Sequence, residues 1–371
     1  MDNWQYYNPV SVIFADDIVG KITALLRDRK DASVLLMSYD WFQQSETYLQ
    51  LEKQISHLTG FFDIEENPSF DSCQCAIDFA HQLSPDVIVA VGGGSVIDTA
   101  KVVRAALYKE CQGIHKVFDE TMPGKQKTTF FALPTTHGTG SEVTQWATIW
   151  DKKNKKKHSL SEVENYPDYA IYSPELMKDL PLTVALTSTL DALSHAFESI
   201  WNKNRNPMST GYAIEAIDLI ISNLNRLDGN TLLEDRKPFI IASLYAGLAF
   251  SNTKTAAAHS ISYPLTAYFN VPHGIACSMP LFPLLKINQS AIQTELDELF
   301  CRLKVKSVDE LWAKIEAGIA NKIPFRLSEF GVKKGALQDL VDLSFTKGRM
   351  DNNIIKLSKK DVHYVLETIY S

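Results

Sequence analysis

Four side chains in the second half of the chain have the types and spacing to grip one divalent cation. In the run Leu190-Asp191-Ala192-Leu193-Ser194-His195-Ala196-Phe197-Glu198, Asp191 and His195 stand four residues apart. On a helix that spacing projects both from one face, so a carboxylate and an imidazole can reach the same ion. The runs Ala258-His259-Ser260-Ile261-Ser262-Tyr263-Pro264 and Val271-Pro272-His273-Gly274 add two imidazoles in apolar surroundings. One carboxylate and three imidazoles suit Fe(II) or Zn(II). A histidine standing alone is usually a hydrogen-bonded structural residue. His57, His81, His115 and His363 are read that way, whereas the clustering of His195, His259 and His273 sets those three apart.

A second set of residues has the chemistry of phosphate binding. Pro85 to Val91 is an apolar run that enters Gly92-Gly93-Gly94-Ser95 and then a helical pattern containing Asp98 and Lys101. Glycines let backbone N–H groups approach a phosphate closely, and a helix N-terminus adds positive potential there. The run is not the dinucleotide fingerprint G-x-G-x-x-G, and three glycines also serve as a plain tight turn. A further loop, Pro134-Thr135-Thr136-His137-Gly138-Thr139-Gly140-Ser141-Glu142, follows the strand-like Phe130 to Leu133. Its hydroxyls and glycines fit the second wall of a nucleotide cleft. A helix cap is the plainer alternative, but one cap does not need three threonines and two glycines.

These residues need a scaffold, and the periodicities supply two kinds. Up to about residue 180, short β-rich runs alternate with helical patterns, as in a parallel sheet with crossover helices. Ser33–Met37, Val87–Val91 and Thr128–Leu133 are the clearest strands. Ligand sites in such sheets gather at the carboxyl ends of the strands. After Pro181 the pattern turns to long helical periodicity, with Thr187–Trp201, Thr210–Leu224 and Lys237–Phe250 the clearest segments. The expected organisation is a nucleotide-binding α/β domain over 1–180 and a helical metal-binding domain over 181–371, with the boundary in Pro174–Pro181.

Composition narrows the function classes. With 371 residues and 45% hydrophobic content, the chain exceeds what one core usually organises. Its 37 basic and 44 acidic residues give a net charge of -7, which offers no broad field for nucleic acid or an anionic membrane. Any anionic ligand must be held locally. The five cysteines are odd in number and scattered, with no disulfide framework or structural zinc spacing, and Cys73 and Cys75 read as buried thiols. No run could span a bilayer and the N-terminus is not a secretion signal, so a soluble cytoplasmic protein is expected.

In this order, the motifs resemble the iron-dependent, group III alcohol dehydrogenase family, whose fold is like that of dehydroquinate synthase. The resemblance covers nearly the whole chain and rests on Gly-Gly-Gly-Ser with Asp98, Pro-Thr-Thr-x-Gly-Thr-Gly-Ser-Glu, Asp191 with His195, and His259 with His273. It implies a Rossmann-like α/β domain with a parallel sheet, an all-α domain, and metal ligands Asp191, His195, His259 and His273. It places NAD(H) or NADP(H) across Gly93, Gly94, Ser95 and Asp98, with Thr135, Thr136, Thr139 and Thr144 on the nicotinamide side and Asn67 and Lys157 as further contacts. The implied reaction is hydride transfer between a nicotinamide and the carbonyl of an aldehyde polarised by the metal, and a homodimer is the default assembly.

Three departures from the family pattern bear on specificity. Many members end an early strand on a carboxylate that binds the cofactor ribose, whereas here Asp40 falls about one position late. Many carry a second histidine four residues after the His259 position as a proton relay, and this chain has Tyr263, a less ready base. Before His259, where relatives are rich in glycine, stands Asn252-Thr253-Lys254-Thr255. A lysine near a metal is costly to bury without an anion. Together with Glu198-Ser199-Ile200-Trp201-Asn202, this segment resembles the hydroxyethylphosphonate dehydrogenase subgroup. Phosphonoacetaldehyde is then the expected substrate, held by Lys254 with help from Arg205 or Lys203. The alternatives are a short-chain alcohol or diol, an acidic sugar, a lyase or cyclase like dehydroquinate synthase, and a nucleotide-sensing protein without catalysis. Lys152 to Lys157 reads chiefly as an exposed hairpin turn.

Overall fold

The computed structural model describes residues 3–119, 124, 128–153, 156–229 and 231–371. They form two compact units, one made of Asn8–Thr136 and Ser141–Lys178, the other of the residues up to Tyr7, His137–Gly140 and Asp179–Ser371.

The first unit is α/β. In chain order it contains β1 (Ser11–Phe14), α1 (Ile18–Leu25), β2 (Val34–Met37), α2 (Glu46–Gln54), β3 (Leu58–Phe61), α3 (Phe70–Leu83), β4 (Val87–Gly92), α4 (Gly94–Tyr108), the single turn α5 (Ile114–Val117), β5 (Thr129–Pro134), β6 (Trp146–Asp151), β7 (Lys156–Ser161) and β8 (Tyr169–Tyr172). Among the described residues, six strands form one sheet in the order β1-β8-β5-β4-β2-β3. Every neighbouring pair is parallel. A sheet covered on both faces needs strands apolar throughout, and β4 is buried along its whole length. Ile88 and Ala90 pack into the core on one face while Val87, Val89 and Val91 pack on the other. The three strands expected from sequence are all present, with bounds that differ by one residue at one end of β2 and of β4 and at both ends of β5. Helix α3 starts where the sequence can satisfy its free donors, with Ser69 and Ser72 bonding reciprocally as a capping box.

β6 and β7 pair as an antiparallel hairpin, so the lysine-rich run turns as expected, although Asn154 and Lys155 lie outside the described residues. Cys73 is buried, but Cys75 is exposed on α3, which corrects the reading of both as buried thiols. They lie two apart on a helix and so leave it on different faces.

The second unit is helical among the described residues. It holds α6 (Leu182–Ile200), α7 (Pro207–Asn223), α8 (Leu233–Thr253), α9 (Ala257–Phe269), α10 (His273–Ser278), α11 (Leu281–Asn288), α12 (Gln293–Leu303), α13 (Val308–Ile319), α14 (Leu337–Leu343) and α15 (Lys359–Thr368). Helix α6 is its axis: every residue from Thr189 to Ile200 is buried, the pattern of a helix packed on all sides. Phe197 and Trp201 stack on one another in the core. Burying a side chain such as Phe197 contributes about 2–3 kcal/mol. Helix α7 begins at Asn206, whose side chain accepts from the N–H groups of Met208 and Ser209, with Pro207 in the first helical position. No helix among the described residues is long and apolar enough to cross a membrane.

Candidate metal centre and nucleotide-binding turn

The helical unit brings the four predicted metal ligands together. From α6, Asp191 Oδ1 lies 3.8 Å from His195 Nε2, one turn further along the same face. From α9, His259 Nε2 comes to 3.5 Å of the same oxygen, and from α10 His273 Nε2 comes to 4.0 Å. The His195 ring is held between Phe250 and His259, with ring centroids 4.0 Å and 4.6 Å away. Asp191, His195 and His259 are buried, and His273 is about a third exposed. Asp191 Oδ1 and His259 Nε2 have no hydrogen-bond partner among the described residues. A buried carboxylate oxygen and an imidazole nitrogen facing one another unsatisfied would be costly in an otherwise closed structure. A divalent cation between them removes that cost, and the donor set matches one.

Glu198, one turn beyond His195 on α6, completes the geometry and was not foreseen as functional. Its Oε2 accepts from His259 Nδ1 at 2.6 Å, and its Oε1 accepts from the His259 backbone N–H at 3.1 Å. A carboxylate can only accept here, so a ring proton sits on Nδ1 and Nε2 is the nitrogen turned toward Asp191. Burial alone would raise the Glu198 carboxyl, but the His259 ring and nearby backbone donors together hold it below its ordinary value. For Asp191 likewise, burial is outweighed by the surrounding imidazoles, and the carboxyl stays ionised. Burial pushes His195 down to about 4, so its imidazole is neutral at physiological pH and has a lone pair to offer.

A fifth group faces the same space. Cys277, one turn after His273 on α10, is buried with its Sγ 3.6 Å from His273 Nδ1 and 3.7 Å from Nε2. One donor atom each from Asp191, His259, His273 and Cys277 lie within 4.8 Å of one another. The signal for it stood in the sequence as His273-Gly-Ile-Ala-Cys277, a four-residue helical spacing.

Lys254 joins α8 to α9 with φ 67° and ψ 174°, a region essentially reserved for glycine. The joint is held by its neighbours: Asn202 Nδ2 and Thr253 Oγ1 both donate to the Lys254 carbonyl, at 3.0 Å each. The side chain is exposed. Tyr263 is half-buried on α9, and its hydroxyl accepts from Arg349 Nε at 3.3 Å. Arg205 is engaged elsewhere, paired with Glu295 at 3.0 Å and donating to the carbonyls of Ile200 and Ala291. Lys203 donates to the Asp351 carbonyl.

In the α/β unit the glycine turn lies where β4 passes into α4. Gly93 precedes the helix, and the first turn carries neither a side-chain cap nor an acidic residue. Uncapped N–H groups at such an end are an anion site in waiting. Asn67 reaches this turn through its backbone N–H, which donates to Ser95 Oγ at 3.2 Å. Asp98 is held within the fold, its two oxygens accepting from Ser141 Oγ at 2.5 Å and from the Thr148 N–H at 2.8 Å. Lys101 donates to Ser141, Thr144 and the Trp146 carbonyl, which fixes Thr144 beside it. Thr136 lies against Gly93. Thr135 closes β5 by donating its N–H to the Gly92 carbonyl, whereas Thr139 belongs to the helical unit. The Lys157 ammonium lies over the Trp150 ring across the hairpin. Strand β2 ends at Met37. Asp40 lies beyond it, in a short 3-10 turn where it accepts from the Trp41 N–H.

The family models that match are the iron-containing alcohol dehydrogenase domain over residues 9–174 and the C-terminal domain of the Fe-containing alcohol dehydrogenase family over 185–370. The chain belongs to the iron-containing alcohol dehydrogenase family. It is similar to 4-hydroxybutyrate dehydrogenase of Clostridium kluyveri, 31% identical over 76% of this chain and 78% of the relative. It is also similar to 1,3-propanediol dehydrogenase of Citrobacter freundii, 29% identical over 84% and 85% of the two. Among solved structures, the sulfoacetaldehyde reductase of Bifidobacterium kashiwanohense in complex with NAD+ superposes with a TM-score of 0.92 at 25% identity, covering 100% of both chains. The parallel sheet and the helical region are therefore those of a dehydroquinate synthase-like fold, and the protein is an alcohol–aldehyde oxidoreductase of the iron-containing type.

Proposed function

We propose that Asp191, His195, His259 and His273 hold one divalent ion, Fe(II) or Zn(II), and that the enzyme reduces phosphonoacetaldehyde to 2-hydroxyethylphosphonate. The observation that carries the metal centre is the convergence of three imidazole nitrogens within 4.0 Å of one buried carboxylate oxygen. When bound, the ion supplies Lewis-acid polarisation of a carbonyl, and NAD(H) or NADP(H) supplies the hydride.

The chain's own part is to hold and to select. Asp191 offsets the cation's charge, Glu198 fixes the face that His259 presents, and Phe250 packs on the His195 ring to keep water away. Tyr263, whose oxygen accepts from Arg349, keeps one proton to give to the product alcohol. Asn67, Gly93, Gly94, Ser95, Asp98, Thr135, Thr136, Thr139, Thr144 and Lys157 are assigned to the cofactor, the glycine turn to its phosphates. We assign 1–180 to the nucleotide and 181–371 to the metal.

Lys254 is assigned to the anionic tail of the substrate. A non-glycine residue in a glycine-only conformation costs about 1–3 kcal/mol, and such strain gathers at ligand clamps. Two of the similar proteins are named for substrates with an acidic tail, 4-hydroxybutyrate and sulfoacetaldehyde, which supports an acid-tailed aldehyde here. A sulfonate in place of the phosphonate is the second reading, favoured by the latter similarity. A reducing cytoplasm fits the five free thiols, and a homodimer is the default assembly.

The test is NADH and NADPH oxidation by Fe(II)- or Zn(II)-loaded protein with phosphonoacetaldehyde, sulfoacetaldehyde, butyraldehyde and lactaldehyde. The acid-tailed substrates should lead, and Lys254→Ala should lower kcat/KM for them about tenfold or more while sparing butyraldehyde. Equal losses on charged and neutral aldehydes would remove Lys254 from substrate recognition.

A further inference from the structure

We propose that Arg349 is the second cation of the substrate's tail site, its guanidinium receiving the tetrahedral oxyanion of an acid-tailed aldehyde together with Lys254. The inference rests on the substrate proposed above and names a further residue that recognises it. The sequence points to Arg205 or Lys203 for this help, but the structure engages both elsewhere. Arg349 is half-buried, just ahead of the short 3-10 turn Met350–Asn352. Its Nε donates to the Tyr263 hydroxyl at 3.3 Å, and one terminal nitrogen donates to the Gly348 carbonyl at 3.0 Å. The other terminal nitrogen has no partner among the described residues, and no carboxylate among them pairs with the guanidinium. Arg205 and Arg326, also half-buried in the helical unit, each meet a glutamate, at 3.0 Å and 3.2 Å. Asp351, the acid nearest to Arg349 in sequence, is engaged by the loop itself and accepts from the Gly348 N–H at 3.3 Å. A partly buried guanidinium without a counter-charge is costly until an anion reaches it.

Two further contacts put this charge where the tail of the substrate belongs. Tyr263 follows His259 by four residues on α9, so the phenol and the imidazole share a face and stand about 6 Å apart along the axis. That is the scale of a two-carbon aldehyde with its carbonyl beside the imidazoles and its anion at the far end. Asn352 Nδ2 donates to the Thr255 carbonyl at 2.8 Å and to the Gly348 carbonyl at 2.9 Å. One amide thus ties the residue after Lys254 to the residue before Arg349. A guanidinium fork matches two oxygens of a tetrahedral anion, and a pair of cations suits the double charge of a phosphonate better than the single charge of a sulfonate.

The test measures kcat/KM of the metal-loaded, full-length enzyme on phosphonoacetaldehyde, sulfoacetaldehyde and butyraldehyde, and reads the ratio of each acid-tailed aldehyde to butyraldehyde. Any loss that comes from disturbing Tyr263 falls on all three aldehydes and cancels in the ratio. Arg349→Ala should lower the ratio about tenfold or more, with the larger drop for the phosphonate, and Arg349→Lys, which keeps the charge without the fork, should lower it less. A wild-type ratio in Arg349→Ala would overturn the role of Arg349 and leave the proposed substrate standing. If the wild type itself did not favour the acid-tailed aldehydes, the substrate reading would fail and Arg349 with it. Should Arg349→Ala lose all turnover, the wild type decides without catalysis: ethylphosphonate, a tail with no carbonyl, should shield Arg349 from modification by phenylglyoxal, mapped by peptide mass. Equal modification with and without ethylphosphonate would refute the contact.

Discussion

Glu198 touches no predicted ligand atom directed at the ion, yet it sets which nitrogen of His259 is available there. Replacing the carboxylate with an amide keeps the volume but lets the ring take either tautomer, because an amide can donate as well as accept. Glu198→Gln should therefore weaken Zn(II) binding by about ten- to a hundredfold, measured by competition against a chelator, with the far-ultraviolet dichroism unchanged. An unaltered affinity would show that the ring is oriented by packing alone. The residues differ in how visible they are from sequence. Asp191 and His195 announce themselves, because a four-residue spacing on one helix is a local property. His259 and His273 lie on different helices, so no periodicity joined them to the set; their clustering in apolar runs of the same half of the chain did, and the family pattern then implied all four as ligands. Glu198 stood in the same quoted run, but its partner lies 61 positions away and no spacing rule reaches that far. Arg349, which bonds Tyr263 from 86 residues on, is invisible for the same reason.

Helix α10 is only six residues long, and its position depends on having no side chain at Gly274. A Cβ there would lie 1.9 Å from the Thr187 carbonyl oxygen of α6 and 3.3 Å from the Asp191 Cβ. Gly274→Ala must push α10 outward and carry His273 and Cys277 away from Asp191. Overpacking of this kind costs about 1–3 kcal/mol. The variant should show a lower urea midpoint and retain less Zn(II) after desalting, whereas normal metal content would mean that α10 can shift without disturbing the centre. The long elements were legible because burial imposes a period: α6, α7 and α8 were all expected, and the structure extends each of them toward its N-terminus. What no period reveals is a close approach between helices, such as that of α10 to α6, or a strained joint such as Lys254. Those are set by which backbones meet, and a single chain of letters does not state that.

At the level of the whole molecule, acid stability follows from a histidine outside the proposed metal set. His137 is buried, bonded through Nδ1 to Thr189 at 3.1 Å, and burial, reinforced by the Arg236 charge, pushes it down to about 4 from 6.5. The unfolded chain takes up this proton as pH falls through its ordinary value, and the folded one does not until about 4. The native state therefore loses stability across that window. Between about pH 7.5 and about pH 5 the loss is about 2 kcal/mol. His137→Asn, whose amide replaces the Nδ1 contact without titrating, should lose about that much less in paired urea titrations, and equal losses in both proteins would exclude His137 as the source. The alternation of strand and helix followed by helix alone was enough to foresee the architecture. The allegiance of four residues around His137 was not, because the loop's threonines and glycines read as a wall for nucleotide. Gly138 and Gly140 show why they belong with the helices: a side chain on Gly138 would strike the Ser188 backbone at 2.2 Å, and Gly140, at φ +59°, lies where a Cβ would be 2.6 Å from Gly247. The polypeptide thus donates a tetrapeptide plug from the middle of one unit's sequence to the other. A gene cut near residue 180 would not yield two independent pieces. The downstream fragment would be born with an open socket beside Ser188 and Gly247, and neither longer incubation nor added metal could fill it.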